Sequence, residues 1–194
     1  EIVTVIGSGY WPKLASCQFF QDNHGGAIPL GILESHVPGA PDAYVRALTH
    51  YGTMSYGEVA AAAIGFARNG FTMYHLLAQL IGEKPMPWPT TQAALRPGGR
   101  VPVVGELFCQ PDMAATLQWL ADEEKAAAAK GGREAGLQAV RDSFYKGDFA
   151  CTVDTFYKEQ DGLVRYEDMA NYEGGLRPSV TARFQGLDIH AMSP

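Results

Sequence analysis

Helical spacing dominates the middle of the chain. Apolar residues recur every three or four positions within residues 41–51, 55–69, 111–130, 133–145 and 148–160, as they do in amphipathic helices. Ser55 followed by Glu58 fits a capping box, and Gly70 suits a left-handed helix end. Pro111 suits a first helical turn, while Gly131–Gly132 should separate two helices. We therefore predict that most of the chain is helical.

Strand patterns occupy the two ends. Glu1–Ile6 is a β-branched run that is largely apolar on both faces, which predicts a central, covered strand. Apolar and polar residues alternate on either side of Gln185–Gly186, which predicts a β-hairpin. We expect strands mainly within residues 1–7 and 179–192, with helices covering one face of a sheet whose other strands lie outside this sequence. Because unpaired apolar strands aggregate, the segment alone is not expected to form a stable monomer.

The remaining segments are less regular. We predict short helices at Leu14–Gln21 and Phe71–Ile81, within or next to Gly- and Pro-rich stretches that follow the surface. Three further prolines and Pro97-Gly98-Gly99 predict an irregular excursion over residues 85–99. Glu167 and Asp168 suit a helix start, and the acidic run at residues 122–124 is interpreted as a solvated helix face.

Composition and charge exclude several classes of protein. The chain is 46% hydrophobic and 19% charged, as soluble globular proteins are. Its net charge of −6 is spread without a basic cluster, which argues against nucleic-acid binding. No apolar stretch is long enough for a membrane span, and no signal peptide is visible. The three distant cysteines predict no disulfide framework, and the five histidines lack metal-ligand spacing.

The residues alone reveal no catalytic constellation. The sequence has no Ser-His-Asp arrangement, Gly-x-Ser-x-Gly elbow or phosphate loop. The one suggestive feature is Gly7-Ser8-Gly9, directly after the first strand, where the backbone could approach a ligand closely. A plain turn explains the same tripeptide, and on the residues alone it is the favoured interpretation.

Several segments nevertheless match the motifs of one enzyme family in the same order and spacing. They are Val37-Pro38-Gly39 with Asp42-Ala43, His50 to Ser55 followed by Arg68 to Phe71, Gly105-Glu106 with Gln110 to Leu117, Phe144 to Ala150, and Gly162-Leu163 with Glu167 to Ala170 and Tyr172. Together with the final hairpin they resemble the γ-glutamyltranspeptidase family. The resemblance covers nearly the whole chain.

This resemblance implies an N-terminal-nucleophile hydrolase of the α/β class, with an αββα sandwich. Residues 1–194 would be an incomplete, large-subunit part of one such domain. Enzymes of this kind are made as precursors that cleave themselves before a Thr, whose hydroxyl then attacks an amide while its own α-amine acts as base. The family places that Thr downstream of the final hairpin, and nothing around Thr90 or Thr91 resembles the cleavage site. The nucleophile is therefore expected outside this chain.

The resemblance also fixes the expected partners. They are the remaining segments of the same precursor, including the small catalytic subunit, and a small amide or γ-glutamyl-type substrate. A homo-oligomer is left open, and neither nucleic acid, membrane nor cofactor is implied. No catalytic residue is assigned within the chain.

One position departs from the family pattern. Its first strand leads into Asp-x-Arg-Glu-x-Ala-Pro, whose Arg binds the α-carboxylate of the glutamyl substrate. Aligning on Pro12 puts Ser8 in place of that Arg and Gly9 in place of the Glu. A Ser hydroxyl has no charge and cannot grip a carboxylate in bidentate fashion. We assign Gly7, Ser8 and Gly9 to substrate binding. We expect the protein to accept an acyl group that lacks the α-carboxylate, or to bind that carboxylate through another residue. Tyr10 and Trp11 would line an apolar pocket or pack in the core.

Three interpretations remain open. The first is an acyl-transferring amidohydrolase whose self-generated Thr lies outside this segment. The second is a catalytically inert relative that acts as a scaffold or binding protein, and the third is an unrelated helical binding domain that matches by chance. A Thr at the expected self-cleavage position of the full gene would separate the first from the second.

Overall fold

A computed structural model of the chain describes residues 2–192. Its helices are α1 (Cys17–His24), α2 (Ala40–Tyr51), α3 (Tyr56–Asn69), α4 (His75–Glu83), α5 (Pro89–Leu95), α6 (Pro111–Tyr145), α7 (Asp148–Glu159) and α8 (Tyr166–Ala170). Its strands are β1 (Val3–Ile6), β2 (Phe71–Thr72), β3 (Leu107–Phe108), β4 (Gly175–Pro178), β5 (Val180–Phe184) and β6 (Leu187–Ala191). They form three antiparallel pairs, β1 with β4, β2 with β3 and β5 with β6.

The chain divides into two compact units. The first comprises Glu1–Tyr56 and Glu123–Pro194, and the second comprises Gly57–Asp122. The core of the first unit is a cluster of six residues that are almost completely buried: Val37, Tyr145, Ala150, Val164, Met169 and Tyr172. The core of the second unit is formed by Met73, Ala78, Ile81 and Phe108. Each unit therefore has its own apolar centre.

The helices predicted from the spacing of apolar residues and the hairpin are confirmed, whereas the two short helices differ from their predicted ranges. The observed α2, α3 and α7 begin within one residue of the predicted starts, and the hairpin turns at Gln185 and Gly186, which have φ angles of 49° and 81°. The positive φ at Gly70, 88°, ends α3 as predicted. The described part of the chain is mostly helical, with a strand near its start and a hairpin near its end.

Helix α6 is a helical hairpin. Gly132 interrupts it with φ 78° and ψ −176°, a conformation that is essentially restricted to glycine. A Cβ on Gly136 would lie 3.0 Å from Ala128 Cβ and from Glu124 Cγ, so residues 133–145 return along residues 123–131. The break was predicted at Gly131–Gly132; the close return along the first arm was not.

The prediction that residues 122–124 form a solvated acidic face was wrong for Glu124. This residue is only 4% exposed, and its Oε1 accepts a hydrogen bond of 2.6 Å from the backbone amide of Tyr56, at the start of α3. The Glu124 carboxylate therefore compensates an amide that helix geometry leaves without an intrahelical acceptor. Burial and the Glu124 charge, in that order, raise the pKa of the Tyr56 hydroxyl.

Tertiary pairing overrides local propensity in several short segments. Phe71, predicted to begin a helix, instead pairs with Phe108 in the β2–β3 ladder, where the two rings meet at 5.7 Å. Helix α4 therefore starts later, at His75. Helix α1 is displaced toward its C-terminus because Ser16 caps it by accepting from the amide of Phe19. Helix α5 lies in the stretch predicted to be irregular, with Pro89 in its first turn.

Strand β1 is less enclosed than predicted. Its four residues, Val3–Ile6, are half-buried, and within residues 2–192 its ladder partner is β4. Glu1, the first residue of the predicted strand, lies outside the described residues. The register places Ile6 opposite Gly175 and Val3 opposite Pro178. This pairing brings the end of β1 close to the segment that follows α8.

Candidate functional site

The connection Gly7–Gly9, which follows β1 without regular secondary structure and is called the turn below, contains the three residues assigned to substrate binding. Ser8 is exposed, and Gly7 and Gly9 are half-buried on either side of it. A Cβ on Gly7 would lie 3.0 Å from Ala43 Cβ in α2, and one on Gly9 would overlap the Val37 carbonyl oxygen. Because they lack a Cβ, Gly7 can pack closely against α2 and Gly9 against the Val37 carbonyl, while Ser8 between them remains exposed. The structure places all three residues in one connection, in which Ser8 is the exposed residue.

Both ends of this turn are held by strand-type pairing. Ile6 pairs with Gly175 in the β1–β4 ladder. Two residues past Ser8, Tyr10 forms an isolated bridge with Val37, whose amide donates to the Tyr10 carbonyl at 2.9 Å. The middle of the turn has a different anchor, because the Tyr172 hydroxyl donates to the Ser8 carbonyl at 2.8 Å.

Tyr172 is itself fixed on several sides. Its ring is buried and stacks on Tyr145 at 5.3 Å with 11° between the planes, and it contacts the ring of Tyr10 at 4.9 Å. The backbone carbonyl of Tyr172 accepts from Nη2 of Arg141 at 2.6 Å. The side chain that holds the Ser8 carbonyl is therefore ordered through both its ring and its backbone.

Asp42 is the centre of the network behind the turn. Its side chain is completely buried. Oδ1 accepts from Nε of Arg141 at 2.5 Å, and Oδ2 accepts from Nε of Arg46 at 2.6 Å and from the amide of Gly174 at 3.1 Å. One carboxylate therefore pairs with two guanidinium groups, and the backbone two residues past Tyr172 is tied to α2.

Tyr145 links this network to the segment before α2. Its hydroxyl donates to the Pro38 carbonyl at 2.6 Å and accepts from the amide of Asp42 at 3.2 Å. Burial, more than the nearby Asp42 charge, raises the pKa of Tyr145 well above its ordinary value. Burial and then Asp42 also raise the pKa of Tyr172. Tyrosine hydroxyls are protonated in the neutral range, and these shifts extend the protonated form of both groups to more alkaline pH.

The aromatic residues after the turn are only partly covered. Tyr10 and Trp11 are each about half exposed, with Tyr10 donating its hydroxyl to the Glu173 carbonyl at 2.7 Å and Trp11 stacking on His36 at 5.7 Å. They do not belong to the buried core. That Tyr10 and Trp11 line an apolar pocket stays a prediction, with which their exposed ring surfaces are compatible.

Other chemistry-bearing residues do not join this turn. Thr90 and Thr91 lie in the first turn of α5. Among residues 2–192 no group of three or more His, Cys, Asp or Glu side chains could hold a metal ion. The helices described here include none that is both long and apolar enough to cross a membrane.

Sequence reasoning located the turn but missed its support. Asp42 was noted only as part of a motif, and Arg141, Tyr145 and Tyr172 were assigned no role. One local signal was available: Asp42 and Arg46 have the i,i+4 spacing of a helical ion pair. The remaining contacts join residues 31 to 164 positions apart, for which the sequence contains no pattern.

Comparisons with known proteins agree on one group of enzymes. The sequence profile described as Gamma-glutamyltranspeptidase matches residues 1–194. Similar curated proteins include the acylase ACY 1 proenzyme of Pseudomonas sp. (strain SE83), 30% identical over 161 residues, and the glutathione hydrolase proenzyme of Escherichia coli (strain K12), 26% identical over 191 residues. These matches cover 81% and 94% of this chain but only 26% and 30% of the respective relatives. The chain thus spans less than a third of either protein.

Solved structures give the same result for the fold. The gamma-glutamyltranspeptidase of Helicobacter pylori superimposes with a TM-score of 0.82 at 25% identity, covering 100% of this chain and 53% of that one. A cephalosporin acylase from Bacillus halodurans superimposes with a TM-score of 0.80 at 23% identity, covering 98% of this chain and 34% of that one. The predicted N-terminal-nucleophile hydrolase fold class is confirmed.

Proposed function

The chain belongs to the gamma-glutamyltranspeptidase family, and from that premise we propose that it is the nucleophile-free part of an acyl-transferring amide hydrolase. Similar family members are named as glutathione hydrolases and acylases, and several are proenzymes. We place residues 1–194 in the large-subunit region of one domain of such a precursor.

In the proposed reaction the nucleophile comes from another segment of the precursor. Self-cleavage frees a Thr, whose hydroxyl attacks the carbonyl carbon of the substrate amide while its α-amine takes the hydroxyl proton. The C–N bond then breaks, the protonated amine leaves, and an acyl-enzyme ester remains. Water or an acceptor amine attacks this ester, which releases the acyl group and regenerates the Thr. The contribution of this chain is to bind and orient the acyl group.

The β5–β6 hairpin supports partnership with other precursor segments. Its register puts six apolar residues on one face, and the whole hairpin is exposed: Val180, Ala182, Phe184, Leu187, Ile189 and Ala191. A two-stranded hairpin has little stability alone, and an apolar face of this kind marks an interaction surface. We propose that the remaining segments of the same precursor, including the small catalytic subunit, cover it.

The proposed substrate class rests on the exposed, uncharged side chain of Ser8. It is exposed at the end of β1, where the resemblance implies an Arg that binds the substrate carboxylate. The two guanidinium groups of the supporting network, Arg46 and Arg141, both pair with Asp42. A turn with a neutral side chain favours an acyl group without the α-carboxylate. Loss of a charge-assisted pair typically weakens recognition by about 2–5 kcal/mol.

The test is kinetic and uses the full-length, self-processed protein. Hydrolysis of a γ-glutamyl anilide is measured beside simple acyl anilides, in the wild type and in Ser8→Trp. We expect the wild type to prefer the simple acyl compounds, and Ser8→Trp to alter that preference because the side chain lies in the acyl site. A strong wild-type preference for the γ-glutamyl compound that Ser8→Trp leaves unchanged would contradict the assignment. If the protein neither cleaves itself nor turns over any anilide, the result favours an inert scaffold or binding protein instead.

A further inference from the structure

We infer that Tyr172 is a positioning residue that sets acyl-group selectivity through the Ser8 carbonyl; this rests on the proposed function of the Gly7–Gly9 turn. The Tyr172 hydroxyl lies 2.8 Å from that carbonyl oxygen, across 164 positions of sequence. A tyrosine hydroxyl carries its proton at neutral pH, and burial raises the pKa of Tyr172 further, so this group can donate. No contact between Tyr172 and the substrate is required.

The two ends of the turn are tethered by backbone pairing. Ile6 and Tyr10, at its two ends, are held by strand-type pairing with Gly175 and Val37. These pairings do not involve the Tyr172 side chain. Removing the hydroxyl would therefore release the centre of the turn, at Ser8, while leaving its ends in place. The expected effect is local to the surface that faces substrate.

Tyr172 is suited to act as a rigid support. Its ring stacks on Tyr145, its carbonyl accepts from Arg141, and the amide of Gly174 donates to the buried Asp42. Because both the ring and the backbone of Tyr172 are held, its hydroxyl closely defines the position of the Ser8 carbonyl that accepts from it. Small displacements of substrate-positioning groups lower rates strongly. A shift of the Ser8 carbonyl after loss of the Tyr172 hydroxyl would therefore weaken binding of the acyl group.

Gly39 provides an independent means of moving the same contact. A Cβ at this position would lie 2.6 Å from the Ser8 carbonyl oxygen, 2.5 Å from the Gly7 carbonyl oxygen, and would overlap the Tyr172 hydroxyl. Gly39→Ala therefore displaces the hydrogen-bonded pair without deleting either partner. Its φ of −100° is open to alanine, so the added methyl acts through contact rather than through backbone strain.

The experiment compares Tyr172→Phe, Gly39→Ala and a matched control, Tyr166→Phe, in the full-length, self-processed protein. The control also loses a tyrosine hydroxyl that donates to a backbone carbonyl, that of Lys146 at 3.0 Å, but it leaves the Ser8 contact untouched. For each variant KM and kcat are measured with a γ-glutamyl anilide and simple acyl anilides. The ratio of kcat/KM between the two substrates is the decisive quantity.

For Tyr172→Phe we expect KM for the preferred anilide to rise about threefold to tenfold, with a smaller change in kcat and an altered selectivity ratio. Gly39→Ala should alter the ratio as well, and Tyr166→Phe should leave it unchanged. Equal ratios in Tyr172→Phe, Tyr166→Phe and an active wild type would overturn this inference alone. If neither Tyr172→Phe nor Gly39→Ala self-processes while Tyr166→Phe does, the role is structural and the inference also fails. A wild type that neither cleaves itself nor turns over any anilide would instead overturn the proposed function.

Discussion

The carboxylate of Asp42 lies 2.5 Å from the guanidinium of Arg141, although 99 positions separate them in sequence. The aspartate is completely buried and the arginine side chain is only 10% exposed. Breaking a buried ion pair costs about 3–5 kcal/mol when a charge is left uncompensated; because Asp42 keeps its pair with Arg46, the lower end of this range applies to the loss of Arg141. We therefore expect Arg141→Met to lower the free energy of unfolding of the full-length protein by about that amount.

Chemical denaturation of the variant and the wild type measures this loss. Lys158→Met serves as the control, because its ammonium pairs with Asp154 at 2.7 Å on the surface, where such pairs contribute about 1 kcal/mol or less. Comparable losses in the two variants would argue against a special role for the buried pair.

The buried Glu124 carboxylate gives a second prediction. Since it accepts from the Tyr56 amide at 2.6 Å, Glu124→Ala should destabilise the protein by about 1–3 kcal/mol through the unsatisfied donor. The neighbouring Glu123 is exposed, and Glu123→Ala should change stability by less than about 0.5 kcal/mol. Thermal or chemical unfolding of the pair distinguishes these values, and equal stabilities would restore the solvated-face interpretation.

Tyr145 predicts how stability changes at alkaline pH. Its pKa is raised in the folded protein, mainly by burial, so the folded state keeps this proton at pH values where the unfolded chain loses it. The resulting stabilisation is complete below about pH 10, the ordinary tyrosine pKa, and is lost as pH rises through the folded-state pKa. The free energy of unfolding should therefore fall above pH 10 more steeply in the wild type than in Tyr145→Phe.

Denaturation curves at several pH values from about 8 to about 11 test how steeply the free energy of unfolding falls with pH. Tyr44→Phe, which removes a hydroxyl from an exposed tyrosine, is the matched control. Identical slopes in the wild type and Tyr145→Phe would contradict the linkage.

Gly132 gives a prediction about the helical hairpin. Its φ of 78° and ψ of −176° are available almost only to glycine, so Gly132→Ala should cost about 1–3 kcal/mol in unfolding free energy. Gly65→Ala should have the opposite sign, because Gly65 lies within α3 and a Cβ there meets no described atom within 4 Å. Alanine at such a helical position stabilises by about 0.4–1 kcal/mol. A neutral Gly132→Ala would mean that the break does not depend on this conformation.

The elements that sequence predicted correctly are those specified by neighbouring residues. The spacing of apolar residues indicates α2, α3 and α7, and Gln185–Gly186 supplies the two positive φ angles that the hairpin turn needs. By contrast, β2, β3 and β4 are short, and their pairings depend on partners far away in sequence. Two to four residues carry too little periodicity to distinguish a strand from a loop or a helix end.

The candidate site divides in the same way. A strand that is followed by Gly7-Ser8-Gly9 is a local pattern, and it correctly indicated where β1 ends. The support of that turn is tertiary: Tyr172 reaches Ser8 only because β4 returns to pair with β1. The spacing of Asp42 and Arg46 indicates an ion pair but not its burial, since Asp in an amphipathic helix is usually on the solvated face.

Intact mass spectrometry after incubation with an acyl anilide shows whether the nucleophile lies outside residues 1–194. The full-length protein is purified, its subunits are separated, and any covalent acyl group is assigned to a peptide. We predict two subunits from one precursor, with the acyl group on the N-terminal Thr of the subunit that lacks residues 1–194. An acyl group on a residue of this chain, or turnover without self-cleavage, would contradict the account.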